Sequence, residues 1–270
     1  MPKWDTEQYL KFGAERTRPA RDLASAVDIV PRTVLDAGCG PGNSTAVLAS
    51  RWPDARLTGL DSSPEMLRQA EAALPAASFL QRDLRADLQD LGSFDLVYSN
   101  AVLQWIPDME EAVFRLYDIT APGGALAVQV PCSKPREAYG LRLESQDVHT
   151  ALCRTALEEP YVRYTARTPR FGELTGKRID ALLRSLSARL DIWETVYLHR
   201  LHGYEGLLDW YRGTGLRPYL EALPDPLREP FEQAFLDKIR QRYPLEPDGS
   251  LLFWFRRFFF VAYKKSYKGE

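Results

Sequence analysis

The chain has 270 residues, 27% of them charged and 45% apolar, with a formal net charge of −2. That is the composition of one large globular domain, or one with insertions, and it supplies no global field to attract nucleic acid. Three cysteines, Cys39, Cys132 and Cys153, show neither paired nor metal-type spacing, which argues against a disulfide framework and suits a reducing compartment. The opening "MPKWDTEQYLKFGAERTRPARDL" is charged throughout, unlike a secretory leader, and no apolar run reaches membrane-spanning length. The expectation is a soluble, cytoplasmic protein without a membrane partner.

From residue 20 to 130 the chain alternates between two periods. "ARDLASAVD" has helical spacing, and "RTVLDAG" is a short apolar run ending in Gly. "NSTAVLASRWP" is helical and stops at Pro53; Asn43 and Ser44 are candidate caps for it. "ARLTGLD" is predicted to be a strand. "SPEMLRQAEAALP" follows as a helix, with Ser62 or Ser63 as its cap and Pro64 in its first turn. "ASFLQRDL" and "FDLVYSN" read as strands, "MEEAVFRLYDIT" as a helix ended by "APGG", and "ALAVQV" as a fifth strand. Strands alternating with helices, and near-continuously apolar, imply a parallel sheet covered on both faces. Beyond Pro131 the rhythm breaks. No strand is evident in 132–190, "DIWETVYLHR" alternates like a strand, 203–249 is helical and aromatic, and "FFFVAYKK" closes as a strand. The expectation is a single α/β domain over 1–270, with insertions at about 132–175 and 203–250 placed at the ligand edge of the sheet.

"LDAGCGPGNST" (35–45) carries the chemistry. Gly38, Gly40 and Gly42 follow a strand and precede a helix, where a backbone without Cβ atoms can approach a ligand and helix amides attract anions. Asp61 ends the next strand, where an acid can accept both hydroxyls of a ribose. Asp83 is expected to end the third strand, within reach of an exocyclic amine such as that of adenine, and Asn100 to end the fourth. A dinucleotide and S-adenosylmethionine are the candidate ligands. The dinucleotide fingerprint places its third glycine three positions after the second, whereas here Gly42 comes two after Gly40.

With "DAGCGPGNST" (36–45), "TGLDSSPEML" (58–67), "SNAVLQWIPD" (99–108), "TGLRPYL" (214–220) and "YPLEPDGSLLFWFRRFFFVA" (243–262), the chain resembles the trans-aconitate 2-methyltransferase family nearly end to end. The glycine motif belongs to a very large superfamily, whereas "LQWIPD", "TGLRPYL" and the N-terminal "ERTRPA" are much more specific. The resemblance implies the class I methyltransferase (Rossmann-like) fold, a seven-stranded sheet with helical cap insertions. It also implies S-adenosylmethionine as cofactor. Gly38 and Gly40 would meet the methionine part, Asp61, Ser62 and Met66 the ribose and adenosine, and Asp83 and Leu84 the adenine, with Cys39 and Asn43 also at the cofactor. Asn100, Ala101, Gln104 and Trp105 would line the wall near the sulfonium, and Tyr9 with Arg16 or Arg18 would close over the methionine carboxylate. The stretch "VPCSKPREAYGLRL" departs from the family's M-P-x-N/D-x-x-E-P-x-H-like pattern.

The family chemistry is transfer of a methyl group to a carboxylate of a small organic acid, trans-aconitate foremost. No catalytic base is expected, because a free carboxylate is ionised at neutral pH. Another acceptor, whether a carboxylate, a hydroxyl or an amine, is the alternative. Arg217 and Arg257 are the expected grips for the acid's other carboxylates, with Trp105 and Tyr219 also against the substrate. "HRLH" (199–202) does not read as a metal site, and the basic residues of 163–189 read chiefly as a solvated face.

Overall fold

The computed structural model describes residues 13–132, 137–138, 141–142, 145–168 and 172–266. They divide into two compact units.

The larger unit comprises Gly13–Pro131, Phe171–Thr195 and Arg257–Glu270. It begins with α1 (Gly13–Ser25), β1 (Thr33–Ala37), α2 (Asn43–Arg51), β2 (Arg56–Asp61), α3 (Pro64–Ala73), β3 (Ser78–Gln81), β4 (Phe94–Asn100), α4 (Met109–Asp118) and β5 (Thr120–Pro131). β1 pairs in parallel with β2 and β4, β2 with β3, and β4 with β5. The five strands therefore end along one edge. The central strands read as apolar runs because they are covered on both faces: Val34, Leu35, Leu96, Val97, Leu126 and Val128 have no exposed surface. Each such side chain contributes roughly 1.5–3 kcal/mol of burial. α4 turns Ala112, Val113, Leu116 and Tyr117 inward, a spacing that only a helix can bury together. α3 starts as its sequence suggests, with the Ser63 side chain accepting from the Met66 N–H and Pro64 in the first turn.

The remaining elements are β6 (Glu137–Ala138), β7 (Leu141–Arg142), α5 (Ser145–Ala156), α6 (Val162–Thr165), α7 (Gly176–Leu183), β8 (Ser187–Leu201), α8 (Gly203–Arg212), α9 (Arg217–Ala222), α10 (Asp225–Arg240) and β9 (Leu251–Lys264). β9 runs antiparallel to β5, and the seven-stranded sheet has the order β3-β2-β1-β4-β5-β9-β8. β6 and β7 form a separate antiparallel pair inside the stretch expected to hold no strand. Two residues per strand are too few to leave a pattern.

The smaller unit comprises Met1–Phe12, Cys132–Arg170 and Val196–Arg256. Its core is aromatic and aliphatic: Leu152, Leu207, Leu208, Trp210, Phe231, Phe235, Leu236, Ile239 and Phe253 are buried together. Tyr161 meets Phe231 edge to face at 5.1 Å. Arg212 grips Glu232 with two parallel bonds, Nε to Oε1 at 2.8 Å and Nη2 to Oε2 at 2.6 Å, joining α8 to α10.

Candidate active site at the carboxyl edge of the sheet

The glycine turn leaves β1 through Gly38, Gly40 and Gly42, all at positive φ (79°, 55° and 93°). Its backbone is fastened to β2: the N–H groups of Gly38 and Cys39 both donate to the Leu60 carbonyl, at 2.6 and 3.0 Å. The Gly40 N–H donates to Asp61 Oδ2 at 3.0 Å, while the Ser63 N–H donates to Asp61 Oδ1 at 2.9 Å. Asp61 is therefore held in place by backbone alone. Burial raises its pKa, and these backbone bonds oppose the rise.

α2 differs from expectation at its start. Neither Asn43 nor Ser44 caps it; Gly42 occupies the N-cap position in the left-handed conformation, with no side-chain cap bond. The Ser44 and Thr45 hydroxyls instead turn back and donate to Asp36 Oδ2, each at 2.7 Å. Asp36 is 1% exposed, and its other oxygen, Oδ1, is buried without a hydrogen-bond partner among the described residues. Desolvation pushes its carboxyl up to about 6 against the pull of the two hydroxyls. Cys39, buried beside Asp36 and Asp61, has its thiol held protonated for the same reason. Although Asp36 belongs to the recognised motif, nothing local marks its second oxygen as unpartnered. That follows from where the fold puts it.

Asp83 lies two residues beyond β3, which ends at Gln81 rather than at the acid. Its carboxylate is gripped by the Arg85 guanidinium, Nε at 3.0 Å and Nη2 at 2.5 Å, which lowers its pKa. Met66 and Leu84 are buried, and the Ser62 carbonyl accepts from Gln81 Nε2 at 3.3 Å.

The second rim is built at the end of β4. Ala101 sits at φ 58°, a left-handed conformation rare for a residue with a side chain and held here by its surroundings. Its N–H donates to the Gln129 carbonyl at 2.9 Å, and its own carbonyl accepts from Gln104 Nε2 at 2.7 Å. Trp105 closes the short 3₁₀ turn Leu103–Trp105 that follows. Among the described residues, Asn100 Oδ1 and Gln104 Oε1 are buried without a partner, as are both amide atoms of Gln129. Gln129 was missed from sequence; its only signal was a polar letter in "ALAVQV". The loop ends of β1, β2 and β4 thus present two acids, a partly buried glycine turn and carbonyl-type oxygens unpartnered among the described residues. That is an arrangement for a ligand carrying a diol, an ammonium group and a positive centre.

Of the other expected residues, Tyr9 lies outside the described residues, as does the side chain of Arg16; Arg18 is exposed on α1. Arg257 is buried on β9, opposite Pro131. In the smaller unit, Arg217 begins α9 with its Nε donating to Glu221 at 3.0 Å, and Tyr219 is buried in the aromatic core. Among the described residues no group of His, Cys, Asp and Glu could hold a metal ion, and no helix is long and apolar enough to cross a membrane.

A methyltransferase domain family matches residues 34–124. A trans-aconitate 2-methyltransferase of Rhodopseudomonas palustris (strain BisB18) is 41% identical over 268 residues, covering 98% of this chain and 100% of its own. One from Azoarcus sp. (strain BH72) is 41% identical over 263 residues, covering 97% and 99%. Among solved structures, the YcgJ protein from Bacillus subtilis superposes with a TM-score of 0.59 at 16% identity, over 92% of this chain and 99% of its own. A putative methyltransferase from Bacillus halodurans gives 0.57 at 14%, over 92% and 100%. These likenesses show the class I methyltransferase fold.

Proposed function

The chain belongs to the trans-aconitate 2-methyltransferase family, and we propose that its acceptor is a carboxylate of a small polycarboxylic acid, trans-aconitate foremost, giving a methyl ester. It is an S-adenosylmethionine-dependent methyltransferase. The observation that supports the acceptor assignment most is the similarity, at about 40% identity over nearly the whole chain, to enzymes named for that substrate.

The residues at the sheet edge fit the cofactor. Asp61, fixed by the Gly40, Ser62 and Ser63 amides, would turn its remaining acceptor capacity to the ribose hydroxyls. The unpartnered Asp36 Oδ1 suits the methionine ammonium, which would also offset the cost of burying the acid. Asp83 would receive the adenine amine on the carboxylate that Arg85 orients, with Leu84 and Met66 as its apolar neighbours. Asn100, Ala101, Gln104 and Trp105 would form the wall beside the sulfonium, their carbonyl-type oxygens suited to positive charge. When bound, the cofactor supplies an activated methyl group on a cationic sulfur.

What remains for the chain is to hold the acid's oxygen in line and exclude water. A carboxylate is already a nucleophile at neutral pH, so no side chain need take a proton. The chain's three histidines, His149, His199 and His202, all fall in the smaller unit, and the larger unit has none. Arg257, and Arg217 with its Glu221-held guanidinium, are assigned to the carboxylates that are not methylated. The departure of "VPCSKPREAYGLRL" from the family pattern favours one second reading, the same cofactor with a different small acceptor. A methyl-transfer assay over a panel of small acids, phenols and amines decides between them. Trans-aconitate as the best acceptor by kcat/KM is the expected outcome, and transfer only to hydroxyls or amines overturns the reading.

A further inference from the structure

Gln129 has no exposed surface, yet among the described residues neither its amide nitrogen nor its amide oxygen finds a hydrogen-bond partner. Burying such a group unmade costs free energy that an apolar side chain of similar size would not. The β5 sequence around it, "ALAVQV", is otherwise apolar.

Register shows what surrounds it. Aligned residues of neighbouring strands, and alternate residues of one strand, share a face of the sheet. Asn100 aligns with Gln129, Gln129 with Phe259, and Pro131 with Arg257. Asp36 aligns with Tyr98, two residues before Asn100. Asp36, Asn100, Gln129 and Arg257 therefore project from one face at the carboxyl edge. On that face Trp193 stacks on Phe259, ring centroids 5.0 Å apart and 8° from parallel, as an aromatic wall beside the row. The order across the sheet is an acid, two amides with unpartnered oxygens, and a guanidinium. It runs from the groups suited to a cation to the group suited to an anion.

We infer that Gln129 is the specificity-determining contact between the two reactants, its Nε2–H donating to a carboxylate of the acceptor acid and its Oε1 facing the cationic end of the cofactor. The inference rests on the carboxylate-methylation reading. An amide suits that position because its two ends have opposite polarity. A glutamate there would repel the acid, and a lysine would repel the sulfonium.

The test compares the full-length parent with Gln129→Leu and Gln129→Glu. It reads KM for the acid that the parent methylates best, S-adenosylhomocysteine affinity by calorimetry, and melting temperature. Gln129→Leu should raise KM at least ~10-fold, with the melting temperature unchanged or higher and the cofactor-product affinity within about threefold. Gln129→Glu should raise KM further, by roughly 30-fold or more, without weakening S-adenosylhomocysteine binding. KM unchanged in both variants overturns the inference. So does parallel loss of melting temperature and product binding, which would make the side chain a packing element; should Gln129→Leu fail to fold, Gln129→Met takes its place. A parent that methylates no carboxylic acid sinks the acceptor reading and this inference with it. An active parent with indifferent variants sinks this inference alone.

Discussion

The backbone N–H of Gly40 donates to Oδ2 of Asp61 across 3.0 Å, so the turn after β1 and the acid ending β2 act as one piece. The Ser63 amide holds Oδ1 and the Ser62 amide adds to the hold on the carboxylate, which keeps acceptor capacity for a hydroxyl. Asp61→Ala should weaken S-adenosylhomocysteine binding by ~2–3 kcal/mol, the loss of two charge-assisted bonds. It should also lower the melting temperature, since the backbone donors of Gly40, Ser62 and Ser63 lose their acceptor. Asp61→Asn should be impaired as well, because its NH₂ must face either the Gly40 or the Ser63 N–H. Calorimetry showing parent-like binding in both variants would remove Asp61 from the cofactor site.

Gly38 and Gly40 both need positive φ, but a methyl group would meet different surroundings. At Gly38 it would lie 2.4–2.8 Å from Val102, while at Gly40 no atom of the described residues, its two chain neighbours apart, stands within 4 Å. Gly38→Ala should therefore cost about 2–4 kcal/mol of stability, from the left-handed backbone and overpacking together. Gly40→Ala should cost only ~1–2 kcal/mol of stability. Its methyl group would point into the space assigned to the cofactor, so product affinity should fall more than tenfold, or ~1.4 kcal/mol. Denaturant titration and calorimetry on both variants check the contrast. Unimpaired product binding by Gly40→Ala would mean that the turn does not border the ligand.

The central strands were legible because coverage on both faces forces apolar runs, as in "TVLDA" and "LVYSN", and Asp61 was legible because the acid interrupts such a run at its end. The longer extents of β8 and β9 were not. Their added halves, "SARL" and "LLFWFRR", show no clean alternation, since neighbouring positions there are packed in several ways. The start of α2 was misread for a tertiary reason: the hydroxyls that would cap a helix locally are taken by Asp36, eight and nine residues earlier in the chain. Gln129 could be seen as an oddity, but its missing partners are a property of three aligned strands.

Asp36 supplies a pH dependence with a definite sign. Its folded carboxyl titrates near 6, because burial opposes the charge. A carboxyl that holds its proton more tightly folded than unfolded makes stability fall as pH rises from about 4 towards 6, and level off above. The gap corresponds to ~3 kcal/mol. Burial raises the Asp61 pKa as well, so the clean measurement is the difference between parent and Asp36→Asn without cofactor. That difference should move by ~3 kcal/mol in favour of the variant between pH 4 and 7. The methionine ammonium favours ionised Asp36, so product binding by the parent should weaken below about pH 6, and that by the variant should not. Identical pH profiles for the two proteins would end the assignment of Asp36 to the ammonium.

Above that titration, transfer to a carboxylate has no further proton to lose. Single-turnover rates at saturating acid should be flat between about pH 7 and 9. Quench-flow measurement shows this directly. A tenfold rise per pH unit would reassign the acceptor to a hydroxyl or an amine.

Arg257 and Arg217 carry the last prediction, because each has a structural explanation that must be separated from a role in binding the acid. Arg257 is buried on the face shared by Asn100 and Gln129, and Arg217 is held by Glu221 one helical turn away. Replacing either with Lys keeps the charge and loses the planar fork. If both arginines grip carboxylates that are not methylated, KM for a tricarboxylate should rise by about 1–3 kcal/mol, or roughly 5- to 150-fold. A monocarboxylate, with no spare carboxylate, should suffer less, and S-adenosylhomocysteine affinity should not change. Glu221→Gln separates the two roles of Arg217. If Glu221 only orients the guanidinium for the acid, the variant should share the KM defect in milder form and keep its melting temperature to within a few degrees, since i,i+4 helix pairs contribute only ~0.3–0.5 kcal/mol. Equal losses on mono- and tricarboxylates, with a lowered melting temperature, would make the arginines structural and leave the selection of a polyanion without its cationic partners.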